Sequence, residues 1–151
     1  PYNQRVVEMN SSTELLLDKK TIYYGGRGSQ VELCDILCKD GTFIHVKHYQ
    51  GSSTLSHLFN QGLVSARLVK ADPSFRECAQ VVLDKIEPNC FKLERDSVKQ
   101  VVFAIISKND AVRPEIPFFS KVALDAVCSQ LAAMDIDVAL ARIKEVRADC
   151  G

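Results

Sequence analysis

Residues 40–62 read DGTFIHVKHYQGSSTLSHLFNQG, and the fold turns on how this stretch divides. Asp40-Gly41 is the strongest short signal for a hairpin turn, here extended to Lys39. The eight residues after it, TFIHVKHY (42–49), alternate in the β-branched and aromatic manner of a strand. Gly51 to Ser53 then open a helix, with Ser52 or Ser53 expected as its N-cap. Leu55, Leu58, Phe59, Gly62, Ala66 and Val69 recur on one helical face, and a glycine on that face lets a helix lie close to a sheet. A plain core strand has no need of His45, Lys47 and His48. That excess polarity is the first hint of a site.

Working outward, QVELCDIL (30–37) reads as the continuous first strand of the hairpin. Glu14 to Tyr24 is β-rich at both ends, with Asp18-Lys19-Lys20 as a hairpin turn. Tyr2 to Met9 reads as a short helix. Asp72-Pro73 ends the long helix, and Phe75 to Ile86 forms a second amphipathic helix closed by Pro88. Val98 to Ile106 is a near-continuous apolar run that suits a strand buried on both faces. After the polar 108–117 loop, Ser120 is expected to cap a helix to about Met134, with Leu124, Val127, Cys128 and Leu131 at core spacing. Ile136, Val138 and Leu140 alternate as a last strand, with a helix through Val146 as the alternative. The order predicts a single α/β domain over residues 1–151, with a mixed sheet flanked by helices.

With 151 residues, 46% apolar and 25% charged, the chain can bury a real core. Its 19 basic and 19 acidic residues cancel, so bulk charge argues for no partner. The local distribution is less even. Gly41 through Ala71 holds no Asp or Glu, yet it carries Lys47, Arg67, Lys70 and all three His. Such a window suits a phosphate-facing surface. The six cysteines are widely spaced within apolar segments and read as reduced core residues of a cytoplasmic protein. A zinc site at Cys34 and Cys38 lacks a second ligand pair. GGRG (25–28) lacks the residues of a phosphate-binding P-loop. No run of membrane-spanning length is present.

The chemistry concentrates on the hairpin. Strand alternation puts Phe43, His45, Lys47 and Tyr49 on one face, and Asp35 on a face with Val31, Leu33 and Leu37. The turn then brings Asp35 near His45 and Lys47. An acid on one strand and a two-apart pair ending in Lys on the next is what metal-assisted phosphodiester cleavage needs. Asp35 and His45 are the expected Mg²⁺ or Mn²⁺ ligands. Lys47 would orient the attacking water and stabilise developing charge. On the helix, Ser53, His57 and Gln61 form an i, i+4, i+8 stripe expected to face the same cleft. With Arg67 and Lys70 they are the candidate substrate contacts.

This arrangement resembles the PD-(D/E)XK nucleases, whose core is a helix, a three-strand meander, a helix and a further strand. The resemblance implies a restriction-endonuclease-like core, with Asp35 as the metal-binding Asp, Lys47 as the catalytic Lys, Gln61 as the helix Gln and Glu8 as an acid on the first helix. His45 departs from it, standing where that superfamily usually has an acid. The wording of VELCDIL, FIHVKHY, SSTLSHLFNQGLVSARL, VVFAII and PFFSKVAL closely resembles a sporadically distributed family of bacterial proteins of unknown function, DUF6119. Members of that family are longer, which implies that the chain is their C-terminal part. Their distribution implies mobile elements or antiphage defence.

Three functions are therefore expected in turn: a metal-dependent nuclease acting on DNA, a nucleic-acid-binding domain that has lost catalysis, and a protein-interaction module built around Phe118-Phe119. The expected partners are DNA, further copies of the chain, and the N-terminal remainder of a longer parent, with no membrane.

Overall fold

The computed structural model describes residues 14–17, 19–26, 29–108 and 116–145. The helix expected at Tyr2–Met9, with Glu8, lies outside them, as do most of the 108–117 loop and Cys150. The elements are β1 (Glu14–Leu16), β2 (Thr21–Tyr23), β3 (Gln30–Glu32), β4 (Ile36–Cys38), β5 (Thr42–His48), α1 (Ser52–Ala71), α2 (Pro73–Ile86), β6 (Gln100–Ser107), α3 (Phe118–Ala132) and β7 (Asp137–Lys144).

The chain is α/β. Five strands form one mixed sheet in the order β1-β4-β5-β6-β7, and β2 pairs with β3 in a separate ribbon. β4 is antiparallel to β1 and β5, while β5, β6 and β7 run parallel. Parallel neighbours need crossover connections, and α1, α2 and α3 supply them. β6 is apolar from Val101 to Ile106 because it lies at the centre of the parallel part, with Val101, Phe103, Ala104, Ile105 and Ile106 all buried.

The Asp40-Gly41 turn forms as expected. Gly41 adopts φ 94°, its amide donates to the Cys38 carbonyl at 3.0 Å, and Asp40 Oδ1 accepts the Thr42 amide at 2.9 Å. A side chain at Gly41 would also run into the Ser97 carbonyl. The helical stripe on α1 holds as well: Leu55, Leu58, Phe59, Gly62, Ala66 and Val69 are all buried. Gly62 sits directly over the sheet, where an added Cβ would stand 2.5 Å from Cε1 of Phe103. Phe59 meets the same ring edge-on, with centroids 5.1 Å apart.

Several boundaries differ from the sequence reading. Residues 30–37 are not one strand; Leu33, Cys34 and Asp35 separate β3 from β4. β1 and β2 do not pair as a hairpin, because each finds its partner further along the chain and in a different sheet. α1 is capped by Gly51 rather than Ser52 or Ser53, and α3 by Pro117 rather than Ser120; neither cap makes a side-chain hydrogen bond. Ser120 is instead buried, its Oγ donating to the Ser52 carbonyl at 3.4 Å and tying the first turns of α1 and α3 together. Asp72 ends α1 and caps α2 through the Ser74 and Phe75 amides. The C-terminal segment is the expected strand rather than its helical alternative, because β6 offers it an open parallel edge.

Gly62→Ala is expected to lower stability by about 1–3 kcal/mol through overpacking against Phe103, outweighing the roughly 1 kcal/mol that alanine gains in helix propensity. Urea unfolding measures it, and Phe103→Leu in the same chain should restore part of the loss. A Gly62→Ala variant as stable as the wild type would mean that α1 does not sit this close.

Candidate functional site

The site grows from an irregularity. Ile36 is paired with Ile44, yet the Asp35 amide also donates to the Ile44 carbonyl, at 2.9 Å. Two residues opposite one is the geometry of a β-bulge, which re-aims a side chain. The Asp35 carboxylate consequently lies along the edge of β5, not on one face with Leu33 and Leu37. Its Oδ2 accepts the Val46 amide at 2.6 Å, a role a ladder carbonyl would otherwise fill. Val46 is the residue between His45 and Lys47. The hairpin therefore brings Asp35 to the backbone between that pair, by a different route from simple alternation. The Asp35 carbonyl also receives the Leu17 amide at 2.8 Å, which fixes the bulge from the β1 side.

His45 and Lys47 share the sheet face that packs under α1. Register places them beside Phe103 and Ile105 on β6. His45 is 3% exposed, its ring 6.0 Å from that of Phe103, and its Nε2 is buried without a hydrogen-bond partner. Burial pushes its pKa down from 6.5 to about 4, so the imidazole is neutral at pH 7. Lys47, one step nearer the strand end, is exposed. The burial gradient along β5 thus places a desolvated nitrogen next to a solvated ammonium.

The helix residues fare differently. Because α1 turns Leu55, Phe59 and Gly62 to the sheet, the Ser53, His57 and Gln61 stripe lies on the opposite side, away from Asp35 and Lys47. Arg67 and Lys70 lie toward the far end of α1, where Arg67 donates to Gln130 and Lys70 pairs with Asp96 at 2.6 Å. That pairing holds the Asp96 carboxyl below its ordinary pKa. The window without acids in sequence is therefore not acid-free in space, since Asp96 arrives from another part of the chain.

Residues the sequence reading passed over do reach the site's edge of the sheet. Along β7, Leu140, Arg142 and Lys144 pair with Phe103, Ile105 and Ser107, so they lie on the same face as His45 and Lys47. Arg142 Nε donates to Ser107 Oγ at 3.4 Å. The signal was present as the alternation of β7, but its register against β6 is not readable from one strand. At the other end of β5, Glu14 lies opposite Cys38. Burial, then the charge of Asp40, pushes the Glu14 carboxyl up. The Cys38 thiol is raised to about 11 by burial and by Glu14 and Asp40. A cleft of about 560 Å³ lies elsewhere, between α2 and residues 89–93. Gln80 spans its floor, bonding the Phe91 carbonyl and the Leu93 amide, which is a loop-fastening role.

Cys34, Cys38, Cys78, Cys90 and Cys128 are free thiols, and among the described residues no group of three or more His, Cys, Asp or Glu is placed to hold a metal. Among the same residues no helix is long and apolar enough to cross a membrane.

A family model described as a family of unknown function (DUF6119) matches residues 1–144. The chain belongs to that family. No curated protein and no solved structure matches it.

The depressed His45 pKa has a stability consequence. Between pH 6.5 and about 4 the unfolded chain binds a proton that the folded chain refuses, so stability falls as pH is lowered through that window. The expected loss is about 3 kcal/mol at most. Urea unfolding at pH 7 and pH 4.5 should show the wild type losing stability relative to His45→Leu. Parallel pH curves for the two proteins would contradict a buried neutral imidazole.

Proposed function

We propose that the domain is a metal-assisted nuclease-like unit acting on DNA phosphodiester bonds. The observation that supports this reading is the Asp35 Oδ2 to Val46 amide bond, which holds a carboxylate on the backbone between His45 and Lys47. The PD-(D/E)XK resemblance, and with it a restriction-endonuclease-like core, is part of the same proposal. So is action in the cytoplasm, in mobile elements or antiphage defence.

Asp35 and His45 would hold the divalent cation. The carboxylate is held in place by a backbone amide, and the buried Nε2 has no protein partner to compete with a metal. A neutral imidazole is the form that coordinates. One carboxylate and one imidazole shift preference from Mg²⁺ toward Mn²⁺. A bound cation would polarise the phosphoryl oxygen and lower the pKa of an attacking water. Lys47, exposed at the strand end, would orient that water and stabilise charge on the phosphoryl oxygens. Asp35 also braces β5, so Asp35→Ala would strand the Val46 amide as well as remove the charge. Asp35→Asn keeps an acceptor there and separates the two roles.

A second reading is favoured by the absence, among the described residues, of a three-ligand cluster: a binding domain without turnover. It would bind DNA in a salt-sensitive way and cut nothing.

The test is cleavage of plasmid and single-stranded DNA with Mn²⁺, Mg²⁺ or EDTA. Cutting is expected to be faster in Mn²⁺ and absent in EDTA. Asp35→Asn and Lys47→Ala should each slow it by about 100-fold or more while unfolding like the wild type. Wild-type rates in Lys47→Ala would sink the mechanism. Binding without cutting, with activity gained in His45→Glu, would establish the second reading.

A further inference from the structure

The C-terminal ends of β5, β6 and β7 meet the first turns of α1 and α3 at one edge of the sheet. The tie is direct: Tyr49 donates its amide to Ile106, Glu145 donates its amide to Ser107, and Ser120 reaches Ser52. In open parallel sheets this edge is where ligands bind. Two kinds of side chain collect there. Lys47, Arg142 and Lys144 come from alternate positions on one sheet face, and Lys108 follows β6. Against them stand Asp35 at the bulge and Glu145 past β7. The second kind is aromatic. Phe118 is 72% exposed and Phe119 78%, their rings packed edge to face at 5.6 Å. Lys121 and Val122 on the same turn are exposed, Tyr49 is exposed at the end of β5, and the turn holds no acid.

Two adjacent large apolar rings in water are costly to leave uncovered, and a self-contact would account for them. Their surroundings point elsewhere. A self-contact of matching faces would bring the lysines of one copy against those of another. A polyanion with flat apolar faces meets both features at once: phosphates along a basic edge, bases stacked on aromatic rings. In duplex DNA the base faces are already stacked, whereas a single strand can splay them. We propose that the first turn of α3 is a base-stacking platform, and that the domain takes its nucleic acid single-stranded, with phosphates on Lys47, Arg142 and Lys144 and bases on Phe118 and Phe119. This rests on the phosphodiester reading of the Asp35 site and specifies its substrate class.

The test is fluorescence anisotropy with a short labelled single strand and the matching duplex, in EDTA so that nothing is cut. The single strand is expected to bind tighter. Phe118→Ala and Phe119→Ala should each weaken it by about fivefold or more, leaving duplex affinity and the salt dependence unchanged. Phe119→Tyr, which keeps a stacking ring, should bind as the wild type does. Lys144→Ala should weaken both ligands and reduce the salt slope by about one. Both positions are surface ones, so the alanine variants are expected to fold. Alanine variants that bind the single strand normally, while Lys47→Ala still impairs binding or cleavage, would overturn the platform and leave the nuclease-like reading standing. Loss of a concentration-dependent dimer in those variants, with strand binding unchanged, would overturn it in favour of self-association. A wild type that binds neither ligand would remove both readings.

Discussion

The close approach of α1 to the sheet is the constraint on which the rest depends. Gly62 leaves no side chain between the helix and Phe103, and Phe59 closes on that ring from the side. Once α1 lies flat there, the face of β5 beneath it becomes dry. Phe43 and His45 are desolvated together, and the strand end carrying Lys47 is left as the boundary with water. The same packing fixes where α1 begins, and Ser120 then draws the first turn of α3 beside it. A small residue in the helix thus sets the chemical gradient along the strand that precedes it.

That gradient separates side chains that would otherwise behave alike. His45 is held neutral by burial, whereas Lys47 remains in solvent. Asp35 stays half-buried because it does backbone work, closing the hydrogen bond of Val46 where β4 has ended. A carboxylate fixed by an amide is preorganised for any charge brought to it, at the cost of making the position structurally sensitive. The bulge that permits this arises because the chain must leave the β2–β3 ribbon and join the main sheet within three residues, Leu33 to Asp35.

Much of the fold was legible. The Asp-Gly turn, the apolar face of α1, the Asp72-Pro73 break and the buried run of β6 each follow from local rules, namely turn chemistry, helical period, proline geometry and β-branched composition. That Asp35 comes to the His45–Lys47 segment of β5 was legible too, since a tight hairpin leaves little choice of register. The caps of α1 and α3 were misread because serine's preference for the cap yielded to tertiary contacts: Ser120 makes a buried bond to another helix instead. The stripe from Ser53 to Gln61 was misassigned because an amphipathic helix has only one face for the sheet, and the apolar residues claim it.

What the sequence determined by itself is therefore whatever acts within a few residues: element type, the main turn, and the polarity of β5. What only tertiary structure decided is everything set by pairing at a distance. Arg142 and Lys144 reach the same edge as Lys47 through the β6–β7 register. Lys70 and Arg67 are drawn away by Asp96 and Gln130. The bulge turns Asp35 into the plane of the sheet. The physical reason is common to all three. Side-chain period is a property of one strand or helix, but charge and burial depend on which other segments arrive, and that is settled by packing the whole sheet at once.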